Sequence, residues 1–477
     1  LNRDKYQVEL KRGISENDKN KILALDLPGL DFVRSVKRYY PNGRYASFIL
    51  GYAKANDEGE INGEMGLEYY YNDILKGKNG SIEYQKDAYG YQIPNTPVIE
   101  EKSVSGNNIY LTLDEDVQHI LENSIGELKK NYTYDWATLS IMNAKTGAIL
   151  GSASSPNSRE DLDSYLNPLV SYQYEPGSVM KIFSFMDSIE SGKYDGTKTF
   201  QSGHYILSDG TQINDYNNVG WGEIDFDTGF AFSSNVAATI LGLDLGAKNL
   251  RSFYDTLGFG KKTGIELPSE ADGKITFTYE SEVATASFGQ GITVTPIQML
   301  QALTTVANDG VMIKPYIVSK IVDENGKVIE ENGRTEVAKV ASKKTTDKIK
   351  ELMHKVVYDV KSNNKFAPDN VTLIGKTGTA QIASPQGGYL KGEYDYIKSF
   401  AGVFPYDNPQ YVVYIAIKKF VGGTNDIARI INAVVEETAK AMHIVEMASD
   451  VDESKIVVLS HMISKQTEVM VEELTKK

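Results

Sequence analysis

The segment Glu175-Pro176-Gly177-Ser178-Val179-Met180-Lys181-Ile182-Phe183 carries the sharpest chemical signal. Pro-Gly predicts a turn. The apolar residues Val179, Met180, Ile182, Phe183, Phe185, Met186 and Ile189 predict a buried helix after it, with Ser178 in its first turn. Residues three apart on a helix share a face, so the Ser178 hydroxyl and the Lys181 amine are candidates for nucleophile and base. Free backbone N–H groups and the positive dipole end at a helix start favour a developing oxyanion. A lysine accepts a proton only when neutral. Burial among apolar neighbours lowers its pKa, and so does a second cation nearby. Taken alone S-x-x-K is a weak signal. It recurs at Ser362-Asn363-Asn364-Lys365, in a polar stretch read as a loop. A serine at a helix start often does no more than cap it.

Two further clusters suit the same chemistry. In Phe232-Ser233-Ser234-Asn235-Val236-Ala237-Ala238 two polar residues precede an Ala-rich helix. Ser233 is a candidate proton relay and Asn235 a candidate partner for a substrate amide. Capping is the plainer alternative for both. Lys-Thr-Gly occurs three times. Lys145-Thr146-Gly147 lies in a hairpin turn, and Lys262-Thr263-Gly264 precedes a strand-like Ile265-Glu266-Leu267-Pro268. Only Lys376-Thr377-Gly378-Thr379-Ala380 extends an apolar strand, 371–375, with small residues on both sides. Small residues let a ligand backbone pair along a strand edge. Lys376 with the hydroxyls of Thr377 and Thr379 suits a carboxylate.

Other chemistries have little support. The five histidines, His119, His204, His354, His443 and His461, belong to no G-x-S-x-G elbow and no H-E-x-x-H pair. The absence of cysteine excludes disulfides, thiolate metal sites, iron–sulfur clusters and a cysteine nucleophile. No metal and no cofactor is expected. Lys plus Arg is 50 and Asp plus Glu is 64, a net charge of −14 that argues against nucleic acid as a partner.

The elements that must position these residues follow from periodicity. At 477 residues and 41% hydrophobic the chain can bury a large core, with about three domains as the length prior. Residues 1–106 are polar, Tyr-rich and strand-like in short pieces. A strand at 109–113 leads into a helix at 114–130, with Val117, Ile120, Leu121, Ile125 and Leu128 on one face. Residues 136–152 read as a hairpin, and a helix-rich middle runs to about 310. Strands return at 371–374, 399–404 and 411–420, and a helix at 426–443. This is an α+β plan: an antiparallel sheet built from both ends of a domain, with helices inserted between. Residues 450–477 read as a small separate unit, with a strand at 456–459 and a helix at 467–474. The chain starts at Leu1 and has no apolar run near 18 residues, so any export signal or anchor is expected upstream.

The order S-x-x-K, S-x-N 55 residues later and K-T-G-T 143 residues after that resembles the penicillin-recognising serine transpeptidases. The surroundings match as well: Tyr165-Leu166-Asn167-Pro168, Phe288-Gly289-Gln290-Gly291-Ile292, Thr295-Pro296-Ile297-Gln298, Asn308-Asp309-Gly310 and Ser399-Phe400-Ala401-Gly402-Val403. Arg38-Tyr39-Tyr40-Pro41, Gly51-Tyr52, Gly63-Glu64-Met65-Gly66-Leu67-Glu68 and Asp87-Ala88-Tyr89-Gly90 resemble the non-catalytic pedestal of class B penicillin-binding proteins.

That resemblance implies three units. Residues 1–106 form a mainly β pedestal or dimerisation-type domain, 107–448 the transpeptidase domain, and 449–477 a tail similar to the start of a wall-binding PASTA module. It implies a fold with an antiparallel sheet between helical layers and a site at the sheet–helix junction. It implies Ser178 as acyl-accepting nucleophile, Lys181 as base, Ser233 as relay to the leaving amine and Asn235 as the amide-binding group. Lys376, Thr377, Gly378 and Thr379 form the substrate-binding strand, and the N–H groups of Ser178 and Thr379 the oxyanion hole. The implied substrate is a peptidoglycan stem peptide ending in D-Ala-D-Ala, cross-linked through a serine ester, with β-lactam antibiotics as covalent inhibitors. The implied location is the outer face of a bacterial plasma membrane, on an N-terminal helix absent from this chain. Glycosyltransferase, divisome or elongasome membrane proteins are the implied partners. Two other readings stay open: a D,D-carboxypeptidase or β-lactamase with water as acceptor, and a non-enzymatic β-lactam-binding scaffold or sensor. A β-lactamase of class A would use a Glu-centred water site, and Glu266-Leu267-Pro268-Ser269-Glu270 lacks the companion Asn.

Overall fold

The computed structural model describes residues 8–11, 13–32, 37–56, 60–89, 91–156, 166–359 and 365–444. The Ser362-Asn363-Asn364 part of the second S-x-x-K, Tyr165, Gly90 and the 449–477 tail lie outside them.

A five-stranded sheet organises the larger part of the chain. Its strands are β1 (Trp136–Asn143), β2 (Ile149–Pro156), β3 (Ile374–Gln381), β4 (Tyr396–Phe404) and β5 (Tyr411–Lys418). Their spatial order is β3-β4-β5-β1-β2, and every neighbouring pair is antiparallel. Both ends of the domain therefore meet in one sheet, the α+β plan expected from the sequence.

Side chains alternate across a strand, so a sheet covered on both faces needs apolar residues at nearly every position. On β5, Val413, Ile415 and Ile417 join one core, and Val412, Tyr414 and Ala416 join the other. The first core is closed by α1 (Glu115–Asn131) and by a C-terminal helix, Thr424–Ala441. Val117, Leu121, Ile125 and Leu128 of α1 are buried, as its periodicity demands, while Ile120 is only partly covered. Asp114 caps α1 by accepting from Val117 N at 3.0 Å. Each fully buried aliphatic side chain here contributes roughly 1.5–3 kcal/mol.

The second core holds the helices inserted between the sheet's halves: α2 (Lys181–Glu190), α3 (Asn235–Leu245), α4 (Pro296–Ala307) and α5 (Lys343–Tyr358). All twelve residues of α4 are buried. Among the described residues no helix is long and apolar enough to cross a membrane.

Ahead of this lies a region of short pieces, including the hairpins Ala53–Ala55 with Ile61–Gly63 and Ser81–Tyr84 with Val98–Glu101. It is tied down by side chains: Ala46 N donates to Glu122 Oε1 at 2.5 Å, and Asn167 Nδ2 to Phe48 O at 3.1 Å. The expected strand at 109–113 is Asn108–Leu111, paired with Val318–Val322.

Three local expectations change. The α-helix starts at Lys181, and Ser178 sits in a 3₁₀ turn, Gly177–Met180, ahead of it. The strand expected at 371–374 begins at Ile374 and runs through the Lys-Thr-Gly-Thr residues themselves. Ile265-Glu266-Leu267 forms no strand. The preceding Lys-Thr-Gly is instead a loop held by Glu270, which accepts from Thr263 N at 2.6 Å and Gly264 N at 3.0 Å.

Candidate active site

The nucleophile turn is held by close backbone approaches that only glycine allows. Gly177 lies at φ +62°, in the left-handed region, and donates its N–H to Gly289 O at 2.9 Å. A Cβ on Gly289 would sit 2.2 Å from Gly177 O. On the other side, a Cβ on Gly378 of β3 would meet Ser399 Oγ at 2.2 Å and Pro176 O at 3.1 Å. Strand β3 is thus pressed against the turn that carries Ser178.

A second wall comes from the residues before α3. Ser234, between the two expected site residues, performs the capping: its Oγ accepts from Ala237 N at 3.0 Å. Ser233 adopts φ +61°, which turns the chain away from the helix. The buried carboxylate of Asp215 anchors this bend. It accepts from Ser234 Oγ at 2.8 Å, Val236 N at 3.1 Å and Gly203 N at 2.8 Å. Asn235 Nδ2 donates to Asn214 O at 2.9 Å, which orients the amide oxygen toward Lys181. Asp215 and Asn214 carry no motif, and sequence reasoning missed both. Their partners lie 12 to 21 residues away, beyond the reach of any local pattern.

The walls converge on the Lys181 amine. Lys181 is fully buried, with Nζ 3.0 Å from Ser178 Oγ, 2.6 Å from Ser233 O, 2.8 Å from Asn235 Oδ1 and 3.3 Å from Ser233 Oγ. A neutral amine has two N–H bonds and one lone pair. Two carbonyl oxygens take the N–H bonds, and the lone pair remains for the Ser178 hydroxyl proton. Burial holds the Lys181 amine well below the usual lysine range. The nearby Lys376 lowers it further, and Asp215 opposes the shift.

Lys376 is also fully buried. Its Nζ donates to Ser233 Oγ at 2.8 Å and to Thr377 O at 3.1 Å, and burial pushes its pKa down to about 7. Ser233 therefore bridges the two amines. Along β3 the buried Lys376 and Gly378 alternate with the half-buried Thr377 and the exposed Thr379. Four sequence-selected residues, Ser178, Lys181, Ser233 and Asn235, thus meet around one amine. Lys376 joins them through Ser233, and Thr377, Gly378 and Thr379 border them on the edge strand. The carboxylates of Glu266 and Glu270 are committed to backbone N–H groups of Ile317, Thr263 and Gly264. Among the described residues neither bonds a member of this cluster.

Comparison with known proteins agrees with this geometry. Residues 137–436 match the penicillin-binding protein transpeptidase domain, and residues 2–111 match the penicillin-binding protein dimerisation domain. The chain belongs to the class B penicillin-binding protein family. Stage V sporulation protein D of Bacillus subtilis is 33% identical over 420 residues, 85% of this chain and 64% of that relative. The chain thus spans less than two thirds of that curated relative. Among solved structures, penicillin-binding protein 2X from Streptococcus thermophilus superposes with a TM-score of 0.79 at 28% identity, covering 90% of this chain and 66% of that one. Penicillin-binding protein 3 of Mycobacterium tuberculosis, complexed with ampicillin, gives a TM-score of 0.74 at 25% identity, covering 87% and 91%. In this penicillin-binding protein the cluster lies where the inserted helices meet edge strand β3, and it unites a hydroxyl with a buried amine base beside an open strand edge.

Proposed function

We propose that this chain is a peptidoglycan D,D-transpeptidase acting through a Ser178 ester, and that β-lactams acylate the same hydroxyl. The observation that carries the reading is the fully buried Lys181 Nζ at 3.0 Å from Ser178 Oγ, its N–H bonds taken up by two carbonyls. Depressed below the usual range, the amine takes the Ser178 proton as Oγ attacks the penultimate D-Ala carbonyl. The N–H groups of Ser178 and Thr379 stabilise the tetrahedral oxyanion. Ser233, hydrogen-bonded between the two amines, hands its proton to the departing D-Ala nitrogen and takes in its place the proton that Lys181 received from Ser178, leaving Lys181 neutral again. Asn235 aligns the stem amide, and Thr377 and Thr379 hold the terminal carboxylate, with the Lys376 charge behind them. The amine of a second stem then attacks the ester, releasing Ser178 and forming the cross-link.

Residues 1–106 serve as a pedestal for the 107–448 catalytic unit. An N-terminal membrane anchor outside this chain and a glycosyltransferase of the division or elongation machinery complete the assembly. Penicillin-binding protein 3 of Mycobacterium tuberculosis has been solved in complex with ampicillin and with aztreonam, which supports the inhibitor class.

Intact-mass measurement after incubation with penicillin tests the assignment. A stable adduct of one drug mass, absent in Ser178→Ala, is expected. A thioester stem-peptide analogue should acylate the same residue. Adduct formation by Ser178→Ala at the wild-type rate would overturn the reading. Turnover of a chromogenic cephalosporin at many cycles per second would favour water as acceptor.

A further inference from the structure

We propose that Glu175 is a positioning residue that braces the two halves of the oxyanion site through Tyr389. The inference rests on the reading above, in which the N–H groups of Ser178 and Thr379 form that site. Glu175 lies three residues before Ser178. Its half-buried carboxylate accepts the Tyr389 hydroxyl at 3.1 Å, and the nearby Gly291 N–H favours its charged form. Tyr389 belongs to the connection between β3 and β4, ten residues past Thr379. There it pairs with Ala383, and the next residue, Leu390, donates to Ile382 O at 2.9 Å, so its position is tied to the end of β3. Gly291 belongs to the turn whose Gly289 oxygen accepts the Gly177 N–H at 2.9 Å. One carboxylate therefore links the residues before Ser178 to the extension of the strand that carries Thr379.

Backbone bonds fix the chain on either side of Glu175, at Gly177 to Gly289 and at Tyr174. Tyr174 exchanges both bonds with Val294, at 3.0 and 2.9 Å. Among the described residues no lysine or arginine pairs with Glu175. Burial raises its pKa, opposed by the Gly291 and Tyr389 bonds. A half-buried carboxylate without a cation is unfavourable. The structure keeps it at the one place where it spans the two donors. Oxyanion stabilisation depends on donors that are already in position when charge develops, and sub-ångström looseness between them lowers the rate.

The test is acylation of the full chain by penicillin and by a thioester stem analogue, followed by intact mass and resolved into the binding constant K and the acylation rate k2. Tyr389→Phe should lower k2 about tenfold, the effect of losing one bond to a charged group, with K changed less than twofold and the melting temperature unmoved. Glu175→Ala should lower k2 further, and adding Tyr389→Phe to it should cost nothing more. Glu175→Gln, whose amide oxygen can still accept the Tyr389 hydroxyl, should recover most of k2. Wild-type k2 in Tyr389→Phe, or losses that multiply in the double variant, would overturn the brace. Tyr389→Phe does not depend on Glu175→Ala folding. Failure of the underlying reading is recognised separately, by an adduct that persists in Ser178→Ala.

Discussion

Lys145-Thr146-Gly147 and Lys376-Thr377-Gly378 are the same tripeptide in two settings. The first closes the β1–β2 hairpin. Asn143 Oδ1 accepts from Lys145 N at 2.9 Å and Thr146 N at 3.0 Å, and Gly147 takes φ +87°. Its lysine reaches a carbonyl, Ala307 O, at 2.6 Å and stays partly exposed. The second runs through edge strand β3 with its lysine at 0% exposure beside another buried amine. Gly147 serves a turn, whereas Gly378 serves a contact between strand and nucleophile turn. Burial lowers the pKa of both lysines, but only Lys376 is fully enclosed and set beside a second buried amine.

The largest expected effect separates the two lysines. Lys376→Met should lower the acylation efficiency k2/K about 10³-fold, the scale of a lost proton-transfer partner, while Lys145→Met stays within twofold. Equal effects would erase the distinction. The glycines come next. Gly378→Ala forces a Cβ to 2.2 Å from Ser399 Oγ and should reduce k2 about 10²-fold by moving β3 off the turn. Gly147→Ala meets Lys314 O at 2.1 Å with φ +87° and should instead lower stability by about 1–3 kcal/mol, leaving k2 of the folded protein unchanged.

The pH profile sharpens the contrast further. In the proposed mechanism Lys181 acts neutral and Lys376 charged. Acylation should therefore rise with pH through the depressed Lys181 pKa and fall as pH passes about 7, where Lys376 loses its proton. Lys145→Met should leave that falling limb in place. The smallest effect is on stability. Lys376 binds its proton less tightly folded, at about 7, than unfolded, so the unfolded state holds more protons between that value and the ordinary lysine pKa. Wild-type stability should therefore rise with pH across this window. Lys376→Met should melt higher than wild type at pH 6, by roughly 1–3 kcal/mol, with a smaller difference at pH 9.

Much of the site was legible because its members sit on short, locally patterned segments. Ser178 and Lys181 keep their three-residue spacing whether the turn is 3₁₀ or α. The third Lys-Thr-Gly was separable from the other two by the apolar residues ahead of it, although the strand itself begins only at Ile374. Less legible was the division of labour inside Ser233-Ser234-Asn235. Only the structure gives the cap to Ser234 and the left-handed bend to Ser233. Glu175 stood in the motif with no stated role, because its partner Tyr389 is 214 residues away.

Composition, periodicity and motif order determined by themselves the α+β plan and the short segments that carry Ser178, Lys181, Ser233, Asn235 and Lys376. Those features are written in local spacing and in the types of side chain that can carry the chemistry. Tertiary structure alone decided which lysines lose their solvent and which of three identical tripeptides lies against the Ser178 turn. Desolvation and hydrogen-bond distance depend on residues brought together from opposite ends of a sheet, and no local pattern encodes them.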